Sequence, residues 1–568
     1  MNTKRFMAVI MVFLMLVVSS ACSANGKPTT TESATKPTVQ STAAVSTTEA
    51  PDPFGKYEPP VEITAIFETS SVDDPETGFG PDNKWDDNVW TKACEEQLGI
   101  KIKYSWMVDS SQVNQKLSVS LASNDLPDII PADVKLLDML LEADAIADLA
   151  DAYNQYASPF LKQVMTDNHS LELSAATMGN KIMGICPNPI NMLNAPVLWV
   201  RKDWLNKLNL PEPRTMQDVL AISNAFANSD PDGNKVADTV GLGIQKQFFP
   251  QANFADTKGF FAGYHAYPYY WVKDDSTGKL VYGAVQPQVK DALAQLREMY
   301  KEGQIDKEFG VKNMSAVAEA TASGKVGMQY GLSWNCMYPL NSSQQNDPNA
   351  DWMAYPLPSI DNKPAKSMVE VGGRYLAVNK NCKHPEALIK IYNLFLEKIY
   401  GETAEPLVYS ITPEGYMIYK LALVNISRFD DERLWFNSIH DAFTSNDKSK
   451  LIDDKARTTY DKIAAYKNGD TKGNWDYFRF YDYDTGSVGI VLKNYVDGDN
   501  LTYNQFYGAN TPTMAEKWQT LVKMQDEVFT NIVIGAPMSD FDKFINDWKS
   551  IGGDAITKEV NDWYAAKQ

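Results

Sequence analysis

Apolar and polar positions follow two rhythms along this chain, and they predict strands and helices in alternation. The first 21 residues stand apart. A short basic start, Lys4-Arg5, leads into an apolar run from Phe6 to Val18 and then the small residues Ser19-Ser20-Ala21. The run is too brief to span a bilayer, and its flanks predict a secretory signal peptide over residues 1–21. Further on, Val61-Glu-Ile63-Thr-Ala65-Ile66-Phe67 has strand periodicity, and Trp85–Leu98 predicts a helix with Trp90 and Ala93 on its apolar side. Ile100–Trp106 alternates as a strand, Val113–Ala122 reads as a helix, and Asp128-Ile129-Ile130 as a short buried strand. This βαβαβ order predicts a mostly parallel α/β sheet wrapped by helices, with ligands beyond the carboxyl ends of the strands. Later, Thr215-Met-Gln-Asp218 predicts a capping box before a helix that buries Val219, Ile222 and Phe226. Ser539 is expected to cap a helix whose stripe Phe541, Phe544, Ile545, Trp548 and Ile551 packs inward.

Cys22 follows the predicted signal peptide directly. That junction resembles the lipobox of bacterial lipoproteins, although Ser19 stands where an aliphatic residue is usual. The resemblance implies that Cys22 is acylated on sulfur (diacylglycerol, palmitate) and ties the chain to the outer face of the cell membrane. Residues 22–58 are dominated by Thr, Ser, Ala and Pro. Such a stretch buries too little apolar area to offset its ordering entropy, so it predicts a disordered tether. The roughly 510 residues that follow exceed one core and predict at least two large domains.

A net charge of −19 argues against nucleic acid or an anionic lipid surface as a partner, since both require a basic footprint. Beyond the anchor, no second apolar run is long enough to span a membrane. Cys94, Cys186, Cys336 and Cys382 are scattered singly without CxxC spacing, which argues against zinc and leaves either disulfides or buried thiols. With 13 Trp and 28 Tyr, the chain is rich in aromatics, and in an exported acidic protein these point to a ring-shaped ligand such as a carbohydrate.

Catalytic signatures are scarce. The four histidines lack metal-ligand spacing, and neither a GxSxG elbow nor a Walker loop occurs. One loop does carry chemistry: Asp230-Pro-Asp232-Gly-Asn234-Lys-Val236-Ala-Asp238. Oxygen donors at alternating positions suit a hard cation, with side chains from Asp230, Asp232 and Asn234, the carbonyl of Val236, and Asp238 directly or through water. A structural Ca²⁺ site is expected there. Lys235 stands where an EF-hand has glycine, and no bidentate Glu closes the loop; the plainer alternative is a polar Asx turn.

Val197-Leu-Trp199-Val-Arg201-Lys-Asp203-Trp204-Leu205, then Leu210-Pro-Glu-Pro213-Arg-Thr215 and the Asp230 loop, resemble the extracellular solute-binding proteins of carbohydrate ABC transporters, in particular large Gram-positive lipoproteins of the group-1 family. Gly324-Lys-Val-Gly327-Met328, His384-Pro-Glu-Ala387 and Gly552-Gly-Asp554-Ala extend the similarity from about residue 59 to the C-terminus. The resemblance implies a type II periplasmic-binding-protein fold: two α/β lobes that close on ligand in the cleft between them. It assigns residues 59–190 to lobe one, 191–350 to lobe two, 351–400 to a return into lobe one, and 401–568 mainly to lobe two and cleft-rim helices. It also implies an oligosaccharide ligand, permease subunits as partners and a monomeric, non-enzymatic receptor. Candidate cleft residues are Trp334 and Asn335 after the Val326 strand, Tyr270 and Trp271, Arg374 and Tyr375 at the return, and Asp133 at a strand end. Two alternatives stay open: a surface-anchored glycan hydrolase, and the same fold binding a peptide-like or signalling ligand.

Overall fold

In the computed structural model of the chain, residues 51–568 are described apart from 70–77, 111, 167–176, 179–180, 188–190, 249–253, 370, 372, 413–415, 472, 509 and 568. The expected signal peptide, Cys22 and most of the expected tether lie outside the described residues.

Two groups of strands, each with its own buried side chains, organise the body: two adjacent two-stranded ladders and a five-stranded sheet. In the first, β1 (Val61–Thr69) and β2 (Ile100–Asp109) run parallel with Val61 opposite Ile100. The chain passes between them through α1 (Val89–Ala93), which Asn88 caps by accepting from the amides of Trp90 and Thr91. A π turn over Cys94–Leu98 ends at Gly99 with φ 65, the left-handed region that favours glycine. Next come α2 (Val113–Ala122), at its expected bounds, and β3 (Ile129–Ala132). Asp128 ties β3 to β1 by accepting from the amide and hydroxyl of Thr64 at 2.8 and 2.7 Å. The distant strand Tyr375–Val378 then pairs antiparallel with β3, Tyr375 opposite Ala132.

The second sheet is mixed. Pro196–Arg201 lies between Trp352–Tyr355 and Val326–Leu332, both antiparallel to it. Val326–Leu332 also pairs with Val240–Leu242 in parallel and with Phe254–Asp256 in antiparallel fashion. The Thr215–Asp218 capping box forms, and Val219, Ile222 and Phe226 are fully buried behind it. Near the C-terminus, Phe541, Phe544 and Trp548 are buried as expected, but two details differ. Ser539 is the first helical residue and makes no side-chain cap, and Ile551 is exposed, because a π turn at Lys549–Gly553 rotates it off the stripe.

Several expected boundaries shift. Residues 51–58 are docked on lobe one: the Gly55 carbonyl accepts from Lys390, the Pro53 carbonyl from Asn393, and the Tyr57 hydroxyl donates to Glu386 at 2.6 Å. Their Pro-rich composition hides these backbone acceptors and the Tyr57 ring. Trp352–Tyr355, expected to begin the return to lobe one, is an edge strand of the second sheet. An apolar strand does not announce which sheet it joins. Ile418, Leu421, Val424 and Ile426 pack in the first core, so the described residues of 401–426 belong there, not to lobe two. The chain therefore passes between cores near Cys186–Met192, Val369–Tyr375 and Ile426–Phe429. At the last of these, Arg428 pairs with Asp431 at 2.7 Å and its guanidinium lies 4.8 Å from the Tyr400 ring centre. Pro51–Gln568 forms a compact unit of its own.

On the helix Pro512–Val533, burial beside Glu527 pushes the Asp526 carboxyl up to about 6, and its Oδ1 has no hydrogen-bond partner. The folded state thus holds this proton more tightly than the unfolded chain. Stability from this group is complete below its ordinary value of 3.8 and is lost as pH rises through about 6. Asp526→Asn should accordingly melt higher than the parent above about pH 6, with the gap closing toward 3.8. Thermal melts of both proteins across that window check it, and a gap independent of pH would contradict it.

Candidate functional site

The carboxyl ends of β1 and β3 carry a chain of polar side chains. Glu68, next to last in β1, accepts from Arg374 Nε at 2.9 Å. Arg374 Nη2 lies 2.8 Å from the same oxygen, an ion-pair contact off the hydrogen-bond line. Nη1 makes a long 3.4 Å contact with the Asn114 amide oxygen, and the Asn114 amide nitrogen donates to Asp133. Asp133 also caps its own helix, Val134–Glu142, by accepting from the Leu136 amide at 2.8 Å. Burial raises the Glu68 carboxyl above the ordinary carboxylate range, outweighing the lowering by Arg374. The row Glu68–Arg374–Asn114–Asp133 is only partly buried and can present both acceptors and donors to hydroxyl groups.

Its placement follows from the return strand. Tyr375 lies opposite Ala132, so Arg374 falls at the end of β1 and β3 where the chain re-enters the first core. Here Tyr375 touches Cys186, from the outgoing crossing, and lies within electrostatic reach of Tyr507, from the second lobe's C-terminal segment. Tyr507 is half-buried and packs edge-on against Trp563 at 5.1 Å. The second sheet presents the matching end. Leu332, last in its strand, pairs with Pro196, the first strand residue after the crossing. Trp334 follows in a short 3₁₀ turn and is half-buried. That turn is fastened by the Ser333 hydroxyl donating to the Leu193 carbonyl at 2.9 Å and the Ser487 hydroxyl donating to the Ser333 carbonyl at 2.6 Å.

The remaining expected residues separate. Asn335 is fully buried, its amide donating to the Tyr338 carbonyl at 3.2 Å, and it serves the turn. Trp271 is 2% exposed, with its ring centre 5.4 Å from that of Tyr282 and 6.5 Å from that of Trp518. Tyr270 is buried beside it, and Tyr375 is buried in the first core. All three are core side chains: Trp271 packs under the C-terminal helices beside Trp518, and Tyr375 lies among Val113, Leu117, Leu136 and Leu140 in the first lobe. Glu68, Asn114 and Tyr507 were not anticipated. Glu68 alone had a readable signal, a polar residue just past the end of a predicted strand, whereas Asn114 lies in the first turn of a predicted helix.

In the Asp230–Asp238 loop, Asp230 accepts from the amides of Gly233 and Lys235 at 3.1 and 3.2 Å. The Asn234 amide nitrogen reaches both Asp232, at 2.7 Å, and Asp238, at 3.2 Å. Lys235 adopts φ 65, so the left-handed turn usually given to glycine is made here by lysine. Among the described residues, no three His, Cys, Asp or Glu side chains converge as a metal cluster. The loop borders a polar cavity of about 470 Å³ lined by Arg201, Lys207 and Asp232, at the end of the second sheet opposite Trp334.

A known family matches residues 81–400, more than half of the chain. The chain belongs to the bacterial extracellular solute-binding proteins. Two relatives from Bacillus subtilis (strain 168) span most of this solute-binding protein. Lipoprotein LipO is 22% identical over 86% of this chain and 91% of its own length. The polygalacturonan/rhamnogalacturonan-binding protein YtcQ is 23% identical over 83% and 87%. Among solved structures, the Streptococcus pneumoniae ABC-transporter substrate-binding protein FusA, as an EF-hand mutant in complex with fructo-nystose, aligns with TM-score 0.55. It is 16% identical, and the match covers 89% of this chain and 99% of that one. The two-lobe α/β architecture of such proteins is therefore the architecture here. Among the described residues no disulfide joins the four cysteines, three of which are buried.

Because Trp271 is a core ring, Trp271→Ala should cost about 3–5 kcal/mol of stability. A denaturant midpoint measured beside the parent checks this; an unchanged midpoint with reduced ligand affinity would contradict the core assignment.

Proposed function

We propose that this solute-binding protein is the membrane-anchored, extracellular receptor of an ABC importer, capturing an oligosaccharide between its lobes and handing it to permease subunits. The observation that carries this reading is the pair of sheet ends beside the crossings. One presents the polar row from Glu68 to Asp133, and the other the half-buried Trp334 ring. Sugars need both, hydroxyl partners on one side and a flat aromatic surface on the other. Ligand bridging the two ends would favour the closed arrangement by the contacts it gains there, with the three crossing segments as the hinge. The names of YtcQ and FusA, each a binder of sugar polymers or oligomers, support the ligand class, and that of LipO supports acylation at Cys22.

The protein binds and does not cleave in this reading, and it acts as a monomer. Hydrolysis would call for two carboxylates about 5–10 Å apart working as acid and base or nucleophile. Those at hand are otherwise engaged, Glu68 with Arg374 and Asp133 with a helix amide and Asn114.

We also assign the Asp230–Asp238 loop to a structural Ca²⁺. The donor set is hard oxygen, the Asn234 amide already lies between Asp232 and Asp238, and turning that amide over would add its own oxygen. Lys207 fastens the loop to the neighbouring helix through the Pro231 carbonyl at 2.7 Å. Such a cation would hold the turn rigid at the rim of lobe two.

Two outcomes are expected. Trp334→Ala should weaken oligosaccharide binding by about 1–3 kcal/mol with the fold intact, read by calorimetric titration of the body from Pro51 with product analysis. Unchanged affinity would remove Trp334 from the site, and cleaved sugar would overturn the receptor reading. Chelation of Ca²⁺ should lower the melting temperature of the parent but not of Asp232→Ala. Identical melts with and without chelator would sink the calcium assignment.

A further inference from the structure

Resting on the oligosaccharide reading, we propose that the site selects neutral oligosaccharides over uronate-containing ones, because Glu68 already occupies the edge of Arg374 that a sugar carboxylate would take.

An arginine recognises a carboxylate best through two parallel N–H groups on one edge of its guanidinium. In Arg374 the Nε and Nη2 edge is turned to Glu68 Oε1, at 2.9 and 2.8 Å, and Nη1 points to the Asn114 amide oxygen at 3.4 Å. On the Nε and Nη2 edge an incoming uronate would have to displace Glu68 from a partly desolvated pair. On the Nη1 and Nη2 edge it would have to displace the Asn114 oxygen and reach Nη2, which is buried. It would then sit beside two carboxylates, Glu68 and Asp133, with one guanidinium between them. The nearest lysine on the same helix as Asn114 is committed elsewhere: Lys116 lies 4.1 Å from the centre of the Trp106 ring. Lys135, on the helix that Asp133 caps, is exposed to solvent. No further cation joins the hydrogen-bonded row among the described residues. Like charges facing a ligand reject it as effectively as good contacts admit another.

A neutral sugar meets the same row differently. Its hydroxyls can donate to the second Glu68 oxygen and to Asp133, and accept from the remaining donors of Arg374 and Asn114, without breaking the ion pair. Burial raises the Glu68 carboxyl, which supports a group placed to exchange hydrogen bonds with hydroxyls and not to face another anion. The protein's net charge of −19 pushes the same way, since it slows the approach of any anionic glycan.

The test is calorimetric titration of the body from Pro51 with two matched panels. One holds neutral fructo-, galacto- and xylo-oligosaccharides, the other oligogalacturonides of equal length. The parent and Glu68→Gln are titrated side by side. The parent should take at least one neutral oligosaccharide about tenfold more tightly than any uronate of equal length. Glu68→Gln, which keeps the shape and removes the charge, should narrow or invert that ratio by strengthening uronate binding. Should Glu68→Gln fail to fold, Asp133→Asn serves instead, since Asn also caps helices and the change removes the other carboxylate. A parent that prefers oligogalacturonides, or a ratio unmoved by the charge removal, overturns the selectivity while leaving the receptor reading standing. Silence across both panels from a folded parent overturns the receptor reading itself, and the selectivity with it.

Discussion

The strand pair Ile129–Ala132 and Tyr375–Val378 is the constraint on which the rest of this molecule depends. Nearly 250 residues separate its members, and all of the second sheet is inserted between them. Because Tyr375 must lie opposite Ala132, the residue before it is delivered to the ends of β1 and β3, where Glu68 receives it. A slip of one residue would turn Arg374 into the first core and Tyr375 out of it, and the cost of burying an unpaired guanidinium forbids that. The same pairing forces the outgoing and returning segments to leave the first lobe side by side. Ile185 bridges to Leu376 within the pair's own register. Cleft, hinge and polar row thus share one cause.

Local signals carried far in this chain. The first βαβαβ run was legible because its strands and helices change hydrophobic period abruptly, and the helix from Met216 because Thr215–Asp218 spells out its own cap. What could not be read was partnership at a distance. Trp352–Tyr355 has the composition of a strand in either sheet; only the row of buried side chains on Pro196–Arg201 decides that it closes the second. The docking of residues 51–58 was hidden for a related reason. Its bonds run from backbone carbonyls to Lys390 and Asn393, and carbonyls leave no trace in composition.

The candidate site shows the same division. The positions of Asp133 and Trp334 near strand ends were legible, since Asp133 follows Ala132 directly and Trp334 comes two residues after Leu332, and topology puts strand ends at clefts. Tyr270 and Trp271 were misleading for the opposite reason: an aromatic cluster is as useful to a core as to a ligand, and here the C-terminal helices cover it. Arg374 was placed at the return, but its partner was hidden. Nothing around Gly373-Arg374 reveals that a glutamate more than 300 residues earlier has already claimed its guanidinium.

That claim bears on how ligand class is inferred across this family of folds. An arginine in a cleft reads as a carboxylate receptor when considered alone, and a relative whose name includes polygalacturonan strengthens the impression. The geometry weighs against both. An ion pair at a strand end is partly desolvated, so breaking it to admit a second anion costs the Coulombic attraction already gained and leaves two carboxylates to repel the newcomer. Hydroxyl groups carry no such penalty, because they join the pair's spare lone pairs and protons. The residue that decides the ligand's charge is therefore Glu68, which pairs with the arginine, and not Arg374, which the sequence draws to notice.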